Sequence, residues 1–496
     1  PVRLTEHADS ERLATWAPDG TALAFVRFSE EAAECGIYRV PMPGGPAERL
    51  ADCQPGMRSL DWSPDGNRLV LDGEEPGSVT RALYLHDLDT GVRRRWTDPQ
   101  EGTPGDNSAT FSPDGTLVAF RRQHSASRHD VMVAAVDGSS EPRALTDDRW
   151  GRVRGVEWST DGKSLIYSSN RAGQFRLWRV ALDGGAPQPV PVHDTWVTQP
   201  SIAREQGNMI YRTFRDSVDI WEFPLDDDGR AAAEPTRRVA STRSERHPAW
   251  SPQTNAIAFV SDRSGTTEVW SGNVDGTAML RHTDFKGPLP AAPSWSPDGS
   301  KIVFDAAVDG HADLWVVEHE SRKPMRWTSS ISEDRNAVFS HDGDSIYFAS
   351  DRGGTWEIWR MPADGGEAVQ MTTNGGFRAQ PSRDGEALYF VKLDTPGVWR
   401  MPVAGGQAEL VLSGLSLSDW GSWVAGEHGI YYVTRSPMTI AYSPFGEAPP
   451  ITIHEPTKTI PYLGRALSLS ADGKRMLFSL IDHSDDEVMA VEQARF

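Results

Sequence analysis

The sequence predicts an all-β fold built from repeated four-stranded antiparallel units. A large residue followed by Ser-Pro-Asp-Gly, or by a worn form of it, recurs along the chain. Successive copies lie about 42 to 49 residues apart, which is the period of a propeller blade and is longer than most helical or leucine-rich repeats. The chain is also dense in turn residues, with 45 Gly and 35 Pro among 496 residues. Together these observations predict a β-propeller.

The repeat has eleven copies, each opening on the large residue that precedes the turn. Nine copies keep a recognisable turn, and they begin at Trp16, Trp62, Phe111, Trp158, Trp250, Trp295, Phe339, Pro381 and Leu469. Two worn copies fill the remaining gaps and begin at Ile202 and Trp423. The whole chain is therefore predicted to be one array of similar units.

Each period predicts four strands in a fixed order. A short strand leads into the signature, whose Pro-Asp-Gly tail supplies the fixed φ, the side-chain-to-backbone bond and the tolerance of positive φ that a tight turn needs. An apolar second strand follows, as in TALAFVRF or AIAFVSD. A polar turn such as SDRSGT precedes a third strand such as EVWSGNV, and a glycine-rich turn leads to the fourth strand. Strands this rich in β-branched and aromatic residues leave no room for a helix.

The 18 tryptophans are predicted to fill the space between neighbouring blades. A single four-stranded unit exposes both faces, so stacking is needed to bury them. We expect this of signature residues such as Trp16, Trp62 and Trp295. We expect it also of the third-strand residues Trp178, Trp221, Trp270, Trp315, Trp359 and Trp399. Each aromatic side chain buries roughly 150–250 Å², so the tryptophan content needs no stacked ligand.

Eleven units exceed the usual four to eight blades of one ring, so two propellers are predicted. The first comprises residues 1–243, with about five blades, and the second residues 244–496, with about six. The opening segment PVRLTEH is typical of a fourth strand, and the final segment EVMAVEQARF of a third strand without a partner. These two segments would close one blade between them, which favours interleaved propellers or one very large ring. The sequence leaves that choice open.

The charge of the chain excludes one class of partner. A formal net charge of −20 disfavours nucleic acid, because nucleic-acid binding relies on a basic face that displaces counterions. No apolar run reaches the length needed to cross a bilayer, so membrane insertion is not expected.

The two cysteines, Cys35 and Cys53, flank a segment that predicts two short strands around a Pro-Gly-Gly turn. Folding that hairpin brings the two residues opposite each other. Two interpretations remain open: a pair of small buried thiols, or a cross-strand disulfide that points to an oxidising compartment. A zinc site is not expected, because there is no CxxC pair and no second group of ligands nearby.

The sequence predicts no catalytic residue, cofactor or metal site. A hydrolase of the prolyl-oligopeptidase kind needs a Gly-x-Ser-x-Gly elbow on an α/β domain, and the sequence has neither. The 13 histidines form no HExxH or HxH pair. The acidic segment of Asp226, Asp227 and Asp228 lacks the alternating spacing of a calcium loop. We expect a non-catalytic binding protein, the alternative being a propeller-type polysaccharide lyase or hydrolase that uses dispersed channel residues.

Arginine recurs at one place in the repeat. It stands four residues before the signature in six of the eleven units, at Arg12, Arg58, Arg154, Arg246, Arg335 and Arg465. This position begins the innermost strand, so the arginines are predicted to gather around one rim of the channel. There they would bind a small anionic ligand or an acidic peptide or protein segment. The alternative is that each arginine pairs with a neighbour in sequence, as Glu11, Glu245 and Asp334 would allow.

The repeat resembles the TolB-like, or PD40, β-propeller family, whose hallmark is the WSPDG turn that begins here at Trp62 and Trp295. The resemblance covers nearly the whole chain. The same blades occur in the Tol-system periplasmic protein, tricorn-type proteases, prolyl-oligopeptidase-like peptidases and bacterial regulators. Segments such as DIWEFPL, GHADLWVV and GTWEIWRMPADGGE are most similar to the carboxy-terminal sensor region of bacterial winged-helix transcriptional regulators.

That resemblance implies a sensory or protein-interaction propeller from a bacterial signalling or transcriptional regulatory protein. No winged-helix or kinase signature occurs in the sequence, so the chain resembles the sensor part alone. A periplasmic or otherwise extracytoplasmic location is expected, with the cytoplasm as the alternative.

Overall fold

The structure is a computed structural model that describes residues 3–29, 34–54, 56–75, 78, 80–125, 128–148, 151–192, 196–203, 207–287, 289–416, 419–446, 448–461 and 464–491. No α-helix occurs among these residues, and the all-β prediction is confirmed. The chain forms two compact units, which are described separately. The first contains Pro1–Phe214 and Asp486–Phe496, and the second contains Arg215–Asp485.

The first unit is built mainly from groups of four antiparallel strands. Its strands are β1 (Ser10–Trp16), β2 (Ala22–Ser29), β3 (Glu34–Pro41), β4 (Glu48–Asp52), β5 (Leu60–Trp62), β6 (Arg68–Glu74), β7 (Arg81–Asp87), β8 (Arg93–Arg95), β9 (Gly105–Phe111), β10 (Leu117–Gln123), β11 (His129–Ala135), β12 (Arg143–Ala144), β13 (Val153–Trp158), β14 (Ser164–Ser169), β15 (Arg176–Ala181), β16 (Gln188–Pro189), β17 (Val197–Ile202) and the beginning of β18 (Met209–Pro224). β1–β4 and β13–β16 form separate sheets, and β17 pairs with β18. A parallel bridge between Arg81 and Gly105 joins β5–β8 and β9–β12 into one eight-stranded sheet.

Cys35 and Cys53 form a disulfide within the sheet of β1–β4. Their Cα atoms are 5.5 Å apart, within the usual range for a bridge. The backbone N–H of Cys53 also donates to the carbonyl oxygen of Cys35 over 3.4 Å. The sequence left open whether these residues are free thiols or a disulfide, and the structure contains the disulfide.

The second unit contains six groups of four strands. Beside the end of β18, its strands are β19 (Thr236–Val239), β20 (Glu245–Trp250), β21 (Ala256–Ser261), β22 (Glu268–Asn273), β23 (Leu280–Arg281), β24 (Ala291–Trp295), β25 (Lys301–Ala306), β26 (Asp313–Glu318), β27 (Met325–Arg326), β28 (Asp334–Phe339), β29 (Ser345–Ser350), β30 (Glu357–Pro362), β31 (Val369–Gln370), β32 (Phe377–Pro381), β33 (Ala387–Val391), β34 (Val398–Pro402), β35 (Glu409–Leu412), β36 (Trp423–Ala425), β37 (Gly429–Arg435), β38 (Met438–Pro444), β39 (Ile451–His454), β40 (Leu467–Leu469) and most of β41 (Arg475–Val491). Five groups are consecutive: β20–β23, β24–β27, β28–β31, β32–β35 and β36–β39. The sixth combines both ends of the unit, in the order β19-β18-β41-β40.

Contacts between innermost strands close the second unit into a ring. β20 contacts β24, β24 contacts β28, β28 contacts β32, and β40 contacts both β36 and β20. The side-chain amide of Gln380 joins β32 to β36, because it donates to the carbonyl oxygen of Ala425 (3.0 Å) and accepts from its N–H (2.9 Å). A sheet shared by the first and last strands closes the ring without an open edge at the junction.

The division predicted at residues 243 and 244 is corrected in two ways. The boundary lies between Phe214 and Arg215, and the residues from Asp486 onward belong to the first unit. β18 has 16 residues and β41 has 17, so each is long enough to begin in one unit and end in the other. An alternating sequence pattern predicts such a strand but does not show where it changes partners.

The signature forms the tight turn that its residues predict. In the copy from Trp62, the N–H of Gly66 donates to the carbonyl oxygen of Ser63 over 2.9 Å. The carboxylate of Asp65 accepts from the Ser63 hydroxyl (2.5 Å) and from the N–H of Asn67 (3.0 Å), and the Ser63 bond is the main cause of its lowered pKa. Gly66 has φ of 79°, which a residue with a Cβ rarely adopts. The turn therefore accounts for the repeated Asp and Gly.

Most of the large signature residues are buried between sheets, as predicted. Trp62, Trp158 and Trp295 are 5%, 3% and 7% exposed. Trp16 is 55% exposed, so the prediction for this residue is wrong. β1 begins the array, and its side chains alternate only between exposed and half-buried. The third-strand tryptophans named above are half-buried, and each packs against a core cluster.

Candidate functional site

The innermost strands of the second unit carry bulges three residues before the signature. His247, Asn336 and Arg378 have φ of 56°, 55° and 45°, and the register with the second strand shifts at each of these places. A bulge sets two residues against one and takes their side chains out of the regular alternation. Positive φ is uncommon outside glycine, and such backbone is concentrated at functional sites. The bulges therefore mark the centre of this ring as a candidate site.

A cavity of about 720 Å³ lies against the innermost strands of all six sheets of the second unit. We call it the central cavity. Aromatic and aliphatic side chains, including Trp250, Trp295 and Phe339, line much of it. Arg378 and Arg465 contribute cationic groups to the same lining. The cavity thus combines an apolar wall with two guanidinium groups.

Arg378 and Arg465 are buried, with exposed fractions of 3% and 8%. Arg378 donates to the carbonyl oxygen of Gly421 (2.7 Å) and lies over the ring of Trp423 (4.7 Å to the centroid). Arg465 donates to the carbonyl oxygen of Pro293 (2.9 Å). Burial lowers the pKa of Arg465 to about 10, and burial together with the charge of Arg465 holds the pKa of Arg378 well below its usual range. Both guanidinium groups are therefore held by neutral partners in a setting that disfavours their charge.

His247 stands beside these arginines as a neutral donor. Its Nδ1 accepts the N–H of Ala292 over 3.2 Å, which assigns the proton of the neutral ring to Nε2. Burial lowers the pKa of His247 to about 3, and the charges of Arg246, Arg465 and Arg378 add to the effect. A Cβ on Gly464 would lie 2.2 Å from Nε2, so only glycine leaves room for the ring. His247, Arg246 and Arg465 also line a small cavity of about 10 Å³.

Two further arginines of the second unit differ in how far they are neutralised. Arg246 lies 3.9 Å from the carboxylate of Asp216 at the closest approach, and burial lowers its pKa. Arg335 forms an ion pair with Glu333 (2.7 Å) and lies 3.9 Å from Asp305. Burial raises the pKa of Asp305 to about 6 although Arg335 opposes the rise. The positive charge of Arg335 is thus neutralised by nearby carboxylates.

Arg246, His247, Arg378 and Arg465 are called the channel cluster from here on. Their charges act on one another, as the lowered pKa of His247 shows. With Nδ1 of His247 already occupied, the cluster presents hydrogen-bond donors and no acceptor. Such a group can bind an anion through charge-assisted hydrogen bonds.

The six arginines predicted from the repeat are divided between the two units. Arg12, Arg58 and Arg154 lie in the first unit with exposed side chains, whereas Arg246, Arg335 and Arg465 lie in the second. Three of them belong to each unit, and the prediction that they share one rim stays a prediction. Their role in ligand binding stays a prediction.

The carboxylates beside these arginines in sequence pair with other residues. The pairs are Glu11 with Arg27 (2.6 Å), Glu245 with Arg263 (2.9 Å) and Asp334 with Arg352 (2.9 Å). Successive side chains of a strand point to opposite faces, so a neighbour in sequence is out of reach. The alternative of pairing between sequence neighbours is therefore wrong.

Sequence reasoning missed His247 and Arg378. Both stand three residues before the signature, one residue closer to it than the recurring arginine. The signal was present as a basic residue next to the recurring arginine position. The bulge sets Arg378 against the central cavity and His247 against the small cavity.

The described residues contain no group of three or more side chains able to hold a metal ion. Asp226 belongs to a turn, where its carboxylate accepts from the N–H groups of Asp228 (3.0 Å) and Arg230 (2.8 Å). In the part of the chain that the structure describes, no helix is long and apolar enough to cross a membrane.

Comparison with known proteins identifies the repeat. Residues 225–439 match the TolB β-propeller domain, and residues 78–307 match the tricorn protease N-terminal β-propeller domain. An uncharacterised protein of Agrobacterium fabrum is 31% identical over 265 residues, which cover 49% of this chain and 82% of that protein. Residues 225–439 therefore form TolB-like β-propeller repeats, and the chain is a relative of that Agrobacterium protein.

This TolB-like chain is also similar to a much longer protein. Tricorn protease homolog 1 of Streptomyces coelicolor is 27% identical over 436 residues, which cover 83% of this chain and 36% of that protein. The chain thus spans about a third of the length of that relative. A crystal structure of TolB from Acinetobacter baumannii matches 87% of this chain and 82% of that chain, with 16% identity and a TM-score of 0.39.

Proposed function

We propose that this TolB-like chain is a non-catalytic binding protein whose second unit holds the anionic group of a small ligand or of an acidic peptide segment. The observation that carries the proposal is the burial of Arg378 and Arg465 against the central cavity. Neither forms an ion pair with a carboxylate among the described residues, and both donate to backbone carbonyl oxygens.

Burying these two arginines without a carboxylate partner makes the folded chain less stable. A buried charge is costly unless it is paired, and like charges close together add to the cost. The lowered pKa values of Arg378 and Arg465 express that cost. An anion in the central cavity would offset it by accepting from the remaining guanidinium N–H groups of Arg378 and Arg465. The cluster is therefore better suited to binding than to stabilising the empty ring.

The central cavity also limits the shape of the ligand. Its volume of about 720 Å³ lies in the range of small-ligand sites, roughly 300–1,000 Å³. Its walls are partly aromatic, and Arg378 and Arg465 supply its cationic groups. A carboxylate attached to an apolar body fits both features, and a peptide that ends in an apolar residue has this chemistry.

The same groups are poorly suited to acid–base catalysis. His247, with a pKa of about 3, is too weak a base near neutral pH. Asp305 accepts from the N–H of Asn336 (3.0 Å) and faces Arg335, so its oxygens are already engaged. Binding without turnover is the function that these side chains support.

A sensory or protein-interaction role would follow from such binding, with occupancy of the second unit passed to a partner or to an output domain. The resemblance to the sensor region of winged-helix regulators favours this role. The disulfide of Cys35 and Cys53 favours an extracytoplasmic, oxidising compartment.

Isothermal titration calorimetry of the full chain tests the proposal. The probes are N-acetylated tetrapeptides with varied apolar last residues, each prepared with a free terminal carboxylate and as the amide. We expect saturable binding of the carboxylate form only. A variant carrying Arg378→Met and Arg465→Met should bind about 100-fold or more weakly, since charge-assisted bonds contribute roughly 1.5–3 kcal/mol each.

The matched control carries Arg281→Met and Arg400→Met, which remove two exposed arginines from the same unit. It should bind as the wild type does. Equal binding of carboxylate and amide, or equal loss in the control, would refute the proposed site. Cleavage of the bound peptides by the wild type would contradict the non-catalytic assignment.

A further inference from the structure

The first unit contains a second group of arginines, distinct from the channel cluster. Arg58 and Arg154 stand four residues before the signature in the second and fourth repeats, and their side chains are exposed. Arg121, in β10, belongs to the repeat between them.

A continuous series of hydrogen bonds links their positions. The N–H of Ser108 donates to the hydroxyl of Ser59, which adjoins Arg58 (3.0 Å). Arg121 donates to the side chain of Asn107 (2.7 Å), the residue before Ser108. Arg121 also donates to the carbonyl oxygen of Val153 (2.5 Å), the residue before Arg154. The side chain of Arg121 therefore bridges the backbone segments that carry Arg58 and Arg154.

The charges of these residues act on one another. The pKa of Arg121 is lowered to about 10, mainly by burial and with contributions from the charges of Arg58, Arg154 and Arg81, while Asp72 opposes the shift. Three cations from three adjacent repeats are thus close enough to act on one another, with Asp72 opposing them. Mutual repulsion would separate the two exposed side chains unless an anion joined them.

Among the described residues, the neighbouring carboxylate of Asp72 is hydrogen-bonded through one oxygen only. One oxygen of Asp72 accepts from the N–H groups of Arg58 (2.9 Å) and Ser59 (2.5 Å) and from the Ser59 hydroxyl (2.8 Å). Its other oxygen lies 3.6 Å from Nε of Arg81, which also pairs with Glu74.

The guanidinium group of Arg121 donates to the neutral groups of Asn107, Val153 and Gln123. Arg154 lies over the ring of Phe175, 4.6 Å from its centroid. Within the described ranges, no carboxylate forms an ion pair with Arg58, Arg121 or Arg154.

We propose that Arg58, Arg121 and Arg154 form a second binding site, in the first unit, for a compact oxyanion of the phosphate class. Three cations that converge from separate strands are best neutralised by one small ligand with more than one negative charge. Guanidinium groups bind phosphate oxygens in bidentate geometry, and a phosphate has enough oxygens for all three. The ligand is either free phosphate or the phosphate group of a monoester.

Titration calorimetry of the full chain at low ionic strength tests this site, with inorganic phosphate and O-phosphoserine as the two probes. The variant carries Arg58→Gln and Arg154→Gln. It keeps Arg121, which donates a hydrogen bond to the carbonyl oxygen of Val153. We expect saturable binding of at least one probe by the wild type, and a loss of about 10-fold or more for each arginine removed.

The matched control carries Arg143→Gln and Arg176→Gln, which remove two exposed charges from the same unit. It should bind phosphate as the wild type does, and so should the Arg378→Met, Arg465→Met variant of the second unit. Failure of the peptide experiment would thus leave this site standing. Absence of saturable binding, equal weakening in the control, or loss of phosphate binding in the second-unit variant would overturn it.

Discussion

Replacing Arg465 by methionine should leave the second unit as stable as the wild type or slightly more stable. The pKa of Arg465 falls to about 10 through burial, and each pKa unit of lowering corresponds to about 1.4 kcal/mol. The charged side chain therefore destabilises the empty ring by roughly 3 kcal/mol. Methionine has similar length and no charge, so Arg465→Met removes this burden.

The same substitution also removes one favourable contact. Arg465 donates to the carbonyl oxygen of Pro293, and leaving that oxygen without a partner costs about 1–3 kcal/mol. The two effects nearly cancel. We expect the free energy of unfolding to rise by about 0–2 kcal/mol, the difference between the two estimates.

Arg435 provides the contrasting case in the same unit. Its guanidinium pairs with Asp419 (2.8 Å from Nε), and the two side chains are 13% and 1% exposed. Arg435→Met leaves the carboxylate of Asp419 buried without this partner. Breaking a buried pair in this way costs about 3–5 kcal/mol.

Hydrogen exchange of the core strands β25 and β29, followed by mass spectrometry across a urea series, measures the stability of the second unit within the full chain. Arg435→Met should shift the transition to lower urea, and Arg465→Met should not. If Arg465→Met destabilises the unit as much as Arg435→Met does, Arg465 is a structural residue and the binding argument fails.

Two further outcomes follow from single groups. The pKa of His247 is lowered to about 3 in the folded chain, against about 6.5 when unfolded, so the unfolded state binds more protons in this window. As the pH is lowered from about 6.5 to about 3, the free energy of unfolding should fall by up to about 1.4 kcal/mol per pH unit. In the His247→Gln variant, the urea midpoint of the second unit should depend less on pH over this range. The disulfide of Cys35 and Cys53, which are 18 residues apart, should stabilise the first unit by about 3 kcal/mol. Reductant should lower the urea midpoint of the first unit in the wild type and have no effect on the Cys35→Ser, Cys53→Ser variant; an unchanged wild type would refute the bond.

The sequence predicted the features that depend on local patterns. Alternating apolar strands and the Ser-Pro-Asp-Gly turn predicted the all-β repeat, because the turn around Asp65 and Gly66 is made within five residues. The hairpin around its Pro-Gly-Gly turn likewise predicted that Cys35 and Cys53 are neighbours.

Part of the candidate site was visible in the sequence. Arg246 and Arg465 were found from their spacing, whereas His247 and Arg378 were missed. A bulge depends on how one strand pairs with the next, so the sequence alone did not show that Arg378 reaches the central cavity or that His247 lies beside Arg465. The partners of the arginines also come from other strands, as for Arg335 with Asp305.

By itself, then, the sequence determined the repeat and its four-stranded unit, because these follow from bonds within a few residues, and it showed arginine at one position in six of the eleven repeats. Only the tertiary structure decided where one unit ends and the next begins, since β18 and β41 each begin in one unit and end in the other. It also decided that Trp16 is exposed while Arg378 and Arg465 are buried. The physical reason is that burial, pairing and charge depend on which strands lie side by side, and that is settled by closure of the ring.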